Sequence, residues 1–266
     1  MPELDREGWK LAYEDTGGQG PPILLIHGLL MDRTMFDPQL EALRDRYRLV
    51  TPDLRGHGES SHRAEEFTQW DMMEDHVALL DELGIERAVW GGVSQGGFQS
   101  LRAALRHPDR VAGLILIDTQ AGPEDETRRP MYEAFAEVVA TDGWNEHILQ
   151  NSCISMFGTS APEDLKRQWM DRWERQETND ARQLLWSVTK REDITDRLGE
   201  IEHPAIVIHG EEDAAIDMER AERLADGLPN LVEFVKVPEA GHSSTVERPE
   251  PVTEAIERFL QKVYPA

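Results

Sequence analysis

The chain is short of cysteine, of positive charge and of long apolar runs, and each shortage removes a class of protein. A lone cysteine, Cys153, cannot form an internal disulfide or a cysteine-based metal cluster. It reads as a packed helix residue rather than a reactive thiol. Only 28 lysines and arginines stand against 52 aspartates and glutamates, giving a net charge of −24. A surface of that sign argues against nucleic acid and anionic membrane as partners. It fits a heavily solvated exterior better than a field that steers a cationic substrate. No apolar run reaches bilayer-spanning length. Residues Met1 to Glu7 are charged at once and lack the apolar stretch of a signal peptide. The expectation is a cytoplasmic protein whose 266 residues form one large domain with one insertion.

What is present is an alternation of β-rich apolar runs and helical patterns. Strands are expected at Trp9–Glu14, Pro22–His27, Arg48–Thr51, Ala88–Gly91, Val111–Asp118, Ala205–His209 and Val232–Val237. A short strand before the Arg6-Glu7-Gly8 turn would pair with the first of them. Helical spacing covers Met35–Arg46, Phe67–Leu83, Phe98–Arg106, Met218–Gly227 and Pro251–Tyr264. The fold class is α/β, a mainly parallel sheet flanked by helices, with ligands expected at the carboxyl ends of the strands. The alternation stops after Asp118. Residues 122–202 are helical and polar, which marks them as an inserted helical cap between core segments 1–121 and 203–266. Four tryptophans lie in that insertion: Trp144, Trp169, Trp173 and Trp186. Such rings pack well. Trp144 and Trp186, with Leu30, are the candidates for lining a substrate pocket.

The chemistry is carried by Gly92-Val93-Ser94-Gln95-Gly96, set between an apolar strand and a helical pattern. A Gly-x-Ser-x-Gly at that junction forces a turn so tight that the serine hydroxyl is held exposed on a strained backbone. A serine needs a base to take its proton. In this kind of fold the partners follow in the order serine, acid, histidine. Asp213 lies in the loop after the Ala205–His209 strand, and His242 in the loop after the last strand. Glu211, Glu212 and Asp217 are close neighbours of Asp213. Asp118 is a second candidate acid, better suited to hydrogen-bonding a neighbouring loop. Two N–H groups should face the developing oxyanion: Gln95, directly after the serine, and Leu29, in the loop His27-Gly28-Leu29-Leu30. His27 and Gly28 are expected to shape that turn. His57, His62, His76, His107, His147 and His203 lack metal-ligand spacing, so neither a metal nor a cofactor is expected.

Together these residues resemble the α/β-hydrolase superfamily, and most of all its carboxylesterase, enol-lactonase and cofactor-free haloperoxidase-like branch. The matching pieces are His27-Gly28, Asp53-Leu-Arg-Gly-His-Gly58 with Ser60, Gly92 to Gly97, His209-Gly-Glu-Glu-Asp213 and Ala240-Gly-His242. The likeness runs from about residue 9 to the C-terminus, the cap excepted. Members that act as dehalogenases or epoxide hydrolases carry aspartate where Ser94 stands. Haloperoxidase members often carry proline where Leu30 stands. The resemblance therefore implies an esterase, with a small-molecule ester or lactone as substrate. Lactonase and C–C hydrolase activities use the same three residues, and a non-catalytic receptor is the rival of another class. An anionic lactone would meet a strongly acidic protein, offset locally by Arg128 and Arg129. A His242 base predicts activity that falls as pH drops through about 6 to 7.

Overall fold

Successive side chains of a strand point to opposite faces, so an apolar strand buried on both sides needs a layer on each. The computed structural model, which describes residues 1–62, 66–175 and 181–265, satisfies this with helices above and below one sheet. Among the described residues the sheet has eight strands: β1 (Glu3–Arg6), β2 (Trp9–Asp15), β3 (Pro22–Ile26), β4 (Arg48–Pro52), β5 (Ala88–Val93), β6 (Val111–Ile117), β7 (Ala205–Gly210) and β8 (Leu231–Val237). Their order is β1-β2-β4-β3-β5-β6-β7-β8. β1 and β2 form the expected hairpin and β2 runs antiparallel to β4. All other pairings are parallel.

The helices are α1 (Asp37–Leu43), α2 (Gln69–Glu82), α3 (Gln95–Arg106), α4 (Arg129–Asp142), α5 (Glu146–Met156), α6 (Glu163–Trp173), α7 (Ala181–Thr189), α8 (Met218–Gly227), α9 (Ser244–Glu247) and α10 (Pro249–Val263). On one face Leu24, Leu116 and Val207 pack with Leu80 of α2, Leu101 of α3 and Leu224 of α8. On the other, Leu25, Ile115 and Ile208 pack with Leu40 of α1 and Ile256 of α10. Each such side chain contributes about 1.5–3 kcal/mol on burial.

Element edges depart from the sequence reading for local reasons. The helix expected at Phe67 starts at Gln69, because Thr68 and Asp71 form a reciprocal capping box. The helix expected over Met35–Arg46 is divided into a 3-10 turn at Arg33–Phe36 and α1, with Pro38 in the first turn of α1. β6 ends at Ile117 because Asp118 turns out of the strand with φ +45°. Between β6 and β7 run α4 to α7, with no strand among the described residues; residues 176–180 of the insertion lie outside them. Among the described residues no helix is long and apolar enough to cross a membrane.

Candidate active site

β5 and α3 meet with one residue between them. That residue, Ser94, has φ +53° and ψ −113°, a backbone state that costs on the order of 1–3 kcal/mol and persists only where neighbours enforce it. Its N–H donates to the Ile117 carbonyl at 3.0 Å. Its carbonyl accepts the Phe98 N–H at 3.1 Å and the Thr119 hydroxyl at 2.7 Å. The flanking glycines are required by close approach. A Cβ on Gly92 would meet the Ile26 carbonyl oxygen at 2.5 Å, one on Gly96 would run into that same carbonyl, and one on Gly97 would strike Thr119.

The loops after β7 and β8 bring Asp213 and His242 together. His242 Nδ1 lies 2.8 Å from Asp213 Oδ2. Asp213 Oδ1 accepts the Ala215 and Ile216 N–H groups at 2.9 and 2.8 Å. The carboxylate is thus fixed in rotation and its other oxygen is aimed at the ring. Burial disfavours a charged His242, but the charge and hydrogen bond of Asp213 outweigh it, with help from Asp118 and Glu247, and the imidazole pKa is raised above 6.5. Ser94, Asp213 and His242 all follow strands at the same carboxyl edge. Neither Ser94 Oγ nor His242 Nε2 has a hydrogen-bond partner among the described residues, and neither atom is sealed from solvent. Hydrogen bonds of this kind are often loose in a free enzyme and tighten on a bound substrate.

Two further buried carboxylates, Asp118 and Glu247, hold the loops of this pair, and only Asp118 is marked by the sequence. Asp118 accepts the Gly210 N–H at 2.9 Å on one oxygen and both the N–H and hydroxyl of Ser244 on the other. It is a brace for the loops that carry Asp213 and His242, which fits the loop-bonding alternative rather than the acid. Burial, reinforced by the nearby Asp213 charge, raises its pKa. Glu247 accepts Gly158 N–H at 2.8 Å, Gly241 N–H at 3.0 Å and Ser243 N–H at 3.3 Å. The only sequence signal for Glu247 was its place five residues after His242.

Gly28 to Met31 form a turn closed by Met31 N–H on the Gly28 carbonyl at 3.2 Å. Leu30 occupies it with φ +66°. Among the described residues, neither the Leu29 nor the Gln95 N–H donates a hydrogen bond within the protein, and Gln95 opens α3, where backbone N–H groups favour negative charge. His27 donates from Nδ1 to the Gly28 carbonyl at 2.7 Å and accepts the Leu54 N–H on Nε2 at 2.9 Å, so it joins two loops. Asp53, at the head of the Asp53-to-Gly58 segment, accepts the Arg33 N–H and guanidinium and the Glu59 N–H. Both motifs are structural here.

An apolar wall near Ser94 adds Phe98, Val188 and Ile216, which the sequence does not mark as site residues, to Leu29. Phe98, one turn into α3, packs with Val188 of α7, Ile216 beyond Asp213, and Leu29. Arg191 fixes Val188 by donating to its carbonyl at 2.7 Å while its guanidinium carbon lies 4.4 Å from the Phe98 ring centre. Of the three expected pocket residues, two border cavities and one is stacked on another ring. Leu30 borders a cavity of about 470 Å³ with Trp173, Arg33 and Arg172. Trp186 borders another, of about 210 Å³, with Tyr132 and Leu185. Trp144 stacks on Trp173 with centroids 6.3 Å apart. Arg128 donates to the Ala215 carbonyl at 2.8 Å. Aromatic content marked the insertion as packed but could not tell which rings face the serine.

Asp118, His209 and Asp213 place possible metal-ligand atoms within 4.8 Å of one another. Each carboxylate oxygen there already accepts or meets an N–H or O–H group, and His209 Nε2 donates to the Ile216 carbonyl at 2.9 Å. These atoms serve the loops, while His209 Nδ1 is buried with no hydrogen-bond partner among the described residues. Cys153 is buried, and burial pushes its thiol pKa up to about 11.

A family model described as alpha/beta hydrolase fold matches residues 21–249. The chain belongs to that family. An esterase from Thermogutta terrifontis, solved with malate bound, is 33% identical to this hydrolase, with a TM-score of 0.92 over 99% of this chain and 100% of that one. The enol-lactonase of Burkholderia xenovorans LB400 is 26% identical with a TM-score of 0.90, over 98% of this chain and 100% of its own. RutD of Caulobacter segnis, assigned as a carbamate hydrolase, is 29% identical over 96% of this chain and 94% of its own. Hydrolysis is common to the three names and the substrate is not.

Proposed function

We propose that this α/β hydrolase is a serine esterase acting on small to medium carboxylic esters, with residues 122–202 as a cap over the site and 1–121 with 203–266 as its core. The strained Ser94 between β5 and α3 is the observation that carries the reading. Ser94 Oγ attacks the acyl carbon while its proton passes to His242 Nε2. Asp213 holds the opposite nitrogen, Nδ1, in its protonated form and stabilises the imidazolium. The N–H groups of Leu29 and Gln95 are free to receive the oxyanion. The alcohol leaves with the proton from His242, and a water deprotonated by His242 cleaves the acyl-enzyme. A cytoplasmic location is part of this reading, suggested by the single, deeply packed thiol of Cys153.

The test is hydrolysis of p-nitrophenyl acetate, butyrate and octanoate by wild type and Ser94→Ala, with a γ-lactone of similar size alongside. Ester turnover lost by at least ~10⁴-fold in the variant supports the reading. Turnover that survives in Ser94→Ala overturns it. The likeness to the Burkholderia enol-lactonase favours a second reading, lactonase, which a lactone rate well above the ester rates would select. Silence on all four compounds would point to a C–C hydrolase or a binding protein.

A further inference from the structure

Trp173 ends α6 and is 1% exposed. Its indole N–H donates to the Leu30 carbonyl at 2.5 Å. The ring is stacked on Trp144 and packed against Phe157, each with centroids 6.3 Å away. The preceding residue, Arg172, donates to Asp32 Oδ2 at 2.9 Å and to the Thr34 hydroxyl at 2.7 Å. Two consecutive residues of one helix end thus grip the loop after β3 on either side of Met31.

That loop needs gripping. Leu30 sits at the third position of the Gly28–Met31 turn with φ +66°, where a type II turn favours glycine. A leucine there is strained by its Cβ and relaxes unless something outside the turn opposes it. The bond from Trp173 is such a restraint, and it acts on the residue next to Leu29. We infer that Trp173 is a positioning residue for the oxyanion hole: its indole holds the turn that presents the Leu29 N–H, so reactivity at Ser94 depends on the docking of α6. The inference rests on the reading of Ser94 as nucleophile and Leu29 as oxyanion donor.

Trp144 supplies the control. It is stacked on the same ring, and its own indole N–H is buried with no acceptor among the described residues. Trp173 is replaced by phenylalanine and, separately, by 3-benzothienylalanine, which keeps the bicyclic shape and puts sulfur in place of N–H. Trp144→Phe is made beside them. The readouts are p-nitrophenyl butyrate kinetics, inhibition by a trifluoromethyl ketone that forms an oxyanion on Ser94, and the rate of labelling by a fluorophosphonate. Both Trp173 variants should lose roughly 10- to 100-fold in kcat with KM within about twofold, below the full loss of a hole donor. Ketone affinity and labelling rate should fall in parallel, while Trp144→Phe stays within about twofold of wild type. If the phenylalanine variant does not fold, the benzothienyl variant carries the test. Unchanged kcat and labelling in the Trp173 variants, or an equal loss in Trp144→Phe, overturns this inference alone. A wild type that is neither labelled at Ser94 nor active on esters overturns the nucleophile reading, and this inference with it.

Discussion

Asp118 holds Ser244 twice, accepting its N–H at 3.1 Å and its hydroxyl at 2.7 Å on the same oxygen. The other oxygen takes the Gly210 N–H at 2.9 Å. In Asp118→Asn an amide NH₂ would face one of these donors, leaving buried groups unpaired. The expected loss is about 2–4 kcal/mol of stability, read as a lower urea midpoint with the slope unchanged. Asp118 also raises the His242 pKa, so the acid limb of the activity profile should move to lower pH in this variant. A limb that stays in place would break that link.

For the wild type, the base must be neutral and its pKa is raised. Activity should therefore rise with pH along a limb centred above 6.5, the ordinary imidazole value. A kcat/KM profile already flat at pH 6 would contradict the assignment of His242.

Stability should respond to acid through other histidines. Burial depresses His27 to about 4, His57 to about 3 and His76 to about 4. Between pH 6.5 and about 4 the unfolded chain binds protons at these rings and the folded chain does not, so stability falls as pH falls. His242 works in the opposite sense: its raised pKa adds stability that is fully present below 6.5 and lost as pH rises through the folded value. Below 6.5 the His242 contribution is constant and the three depressed rings set the slope, each pKa unit being worth about 1.4 kcal/mol. Urea midpoints measured from pH 8 down to pH 4 should drop steeply below 6.5; a constant midpoint would remove the argument.

Val188 lies against Phe98, Ile216 and Leu29. Val188→Ala removes two methyl groups from that wall and should shift the ester preference toward longer acyl chains by several-fold in kcat/KM. The comparison of acetate, butyrate and octanoate esters reads this directly. An unaltered profile would mean that the wall does not meet the acyl chain.

Glu247 accepts three backbone N–H groups from two loops. Glu247→Gln should lower kcat at least about tenfold and stability by about 2–3 kcal/mol, because one N–H₂ would then oppose a donor. Glu247→Asp keeps the charge and should recover part of the stability. Equal kcat in wild type and Glu247→Gln would show that the His242 loop holds its shape without it.

The strands, the elbow at Ser94 and the order Ser94, Asp213, His242 were readable because each depends on short-range pattern: period-two burial, glycines where backbones touch, a polar residue just past a strand. The geometry adds the Asp213–His242 contact, which no spacing could supply among four neighbouring acids. Glu247, Val188 and Trp173 were not readable as site residues. The contacts through which they are proposed to act span 89, 90 and 143 positions of chain. Trp144, another aromatic residue of that segment, is stacked on Trp173, a contact its spacing does not announce.

Beside the Glu247 carboxylate, the segment after α5 and the His242 loop meet backbone to backbone. A Cβ on Gly241 would strike the backbone of Gly158 and Phe157, and one on Gly210 would strike the carbonyls of Ala240 and Gly241. Three glycines thus form a seam of bare backbone linking the end of α5, the His242 loop and the end of β7. Such a seam is indifferent to what the rest of α4 to α7 displays. The helices can exchange their inward-facing residues while their seat beside the histidine loop stays fixed.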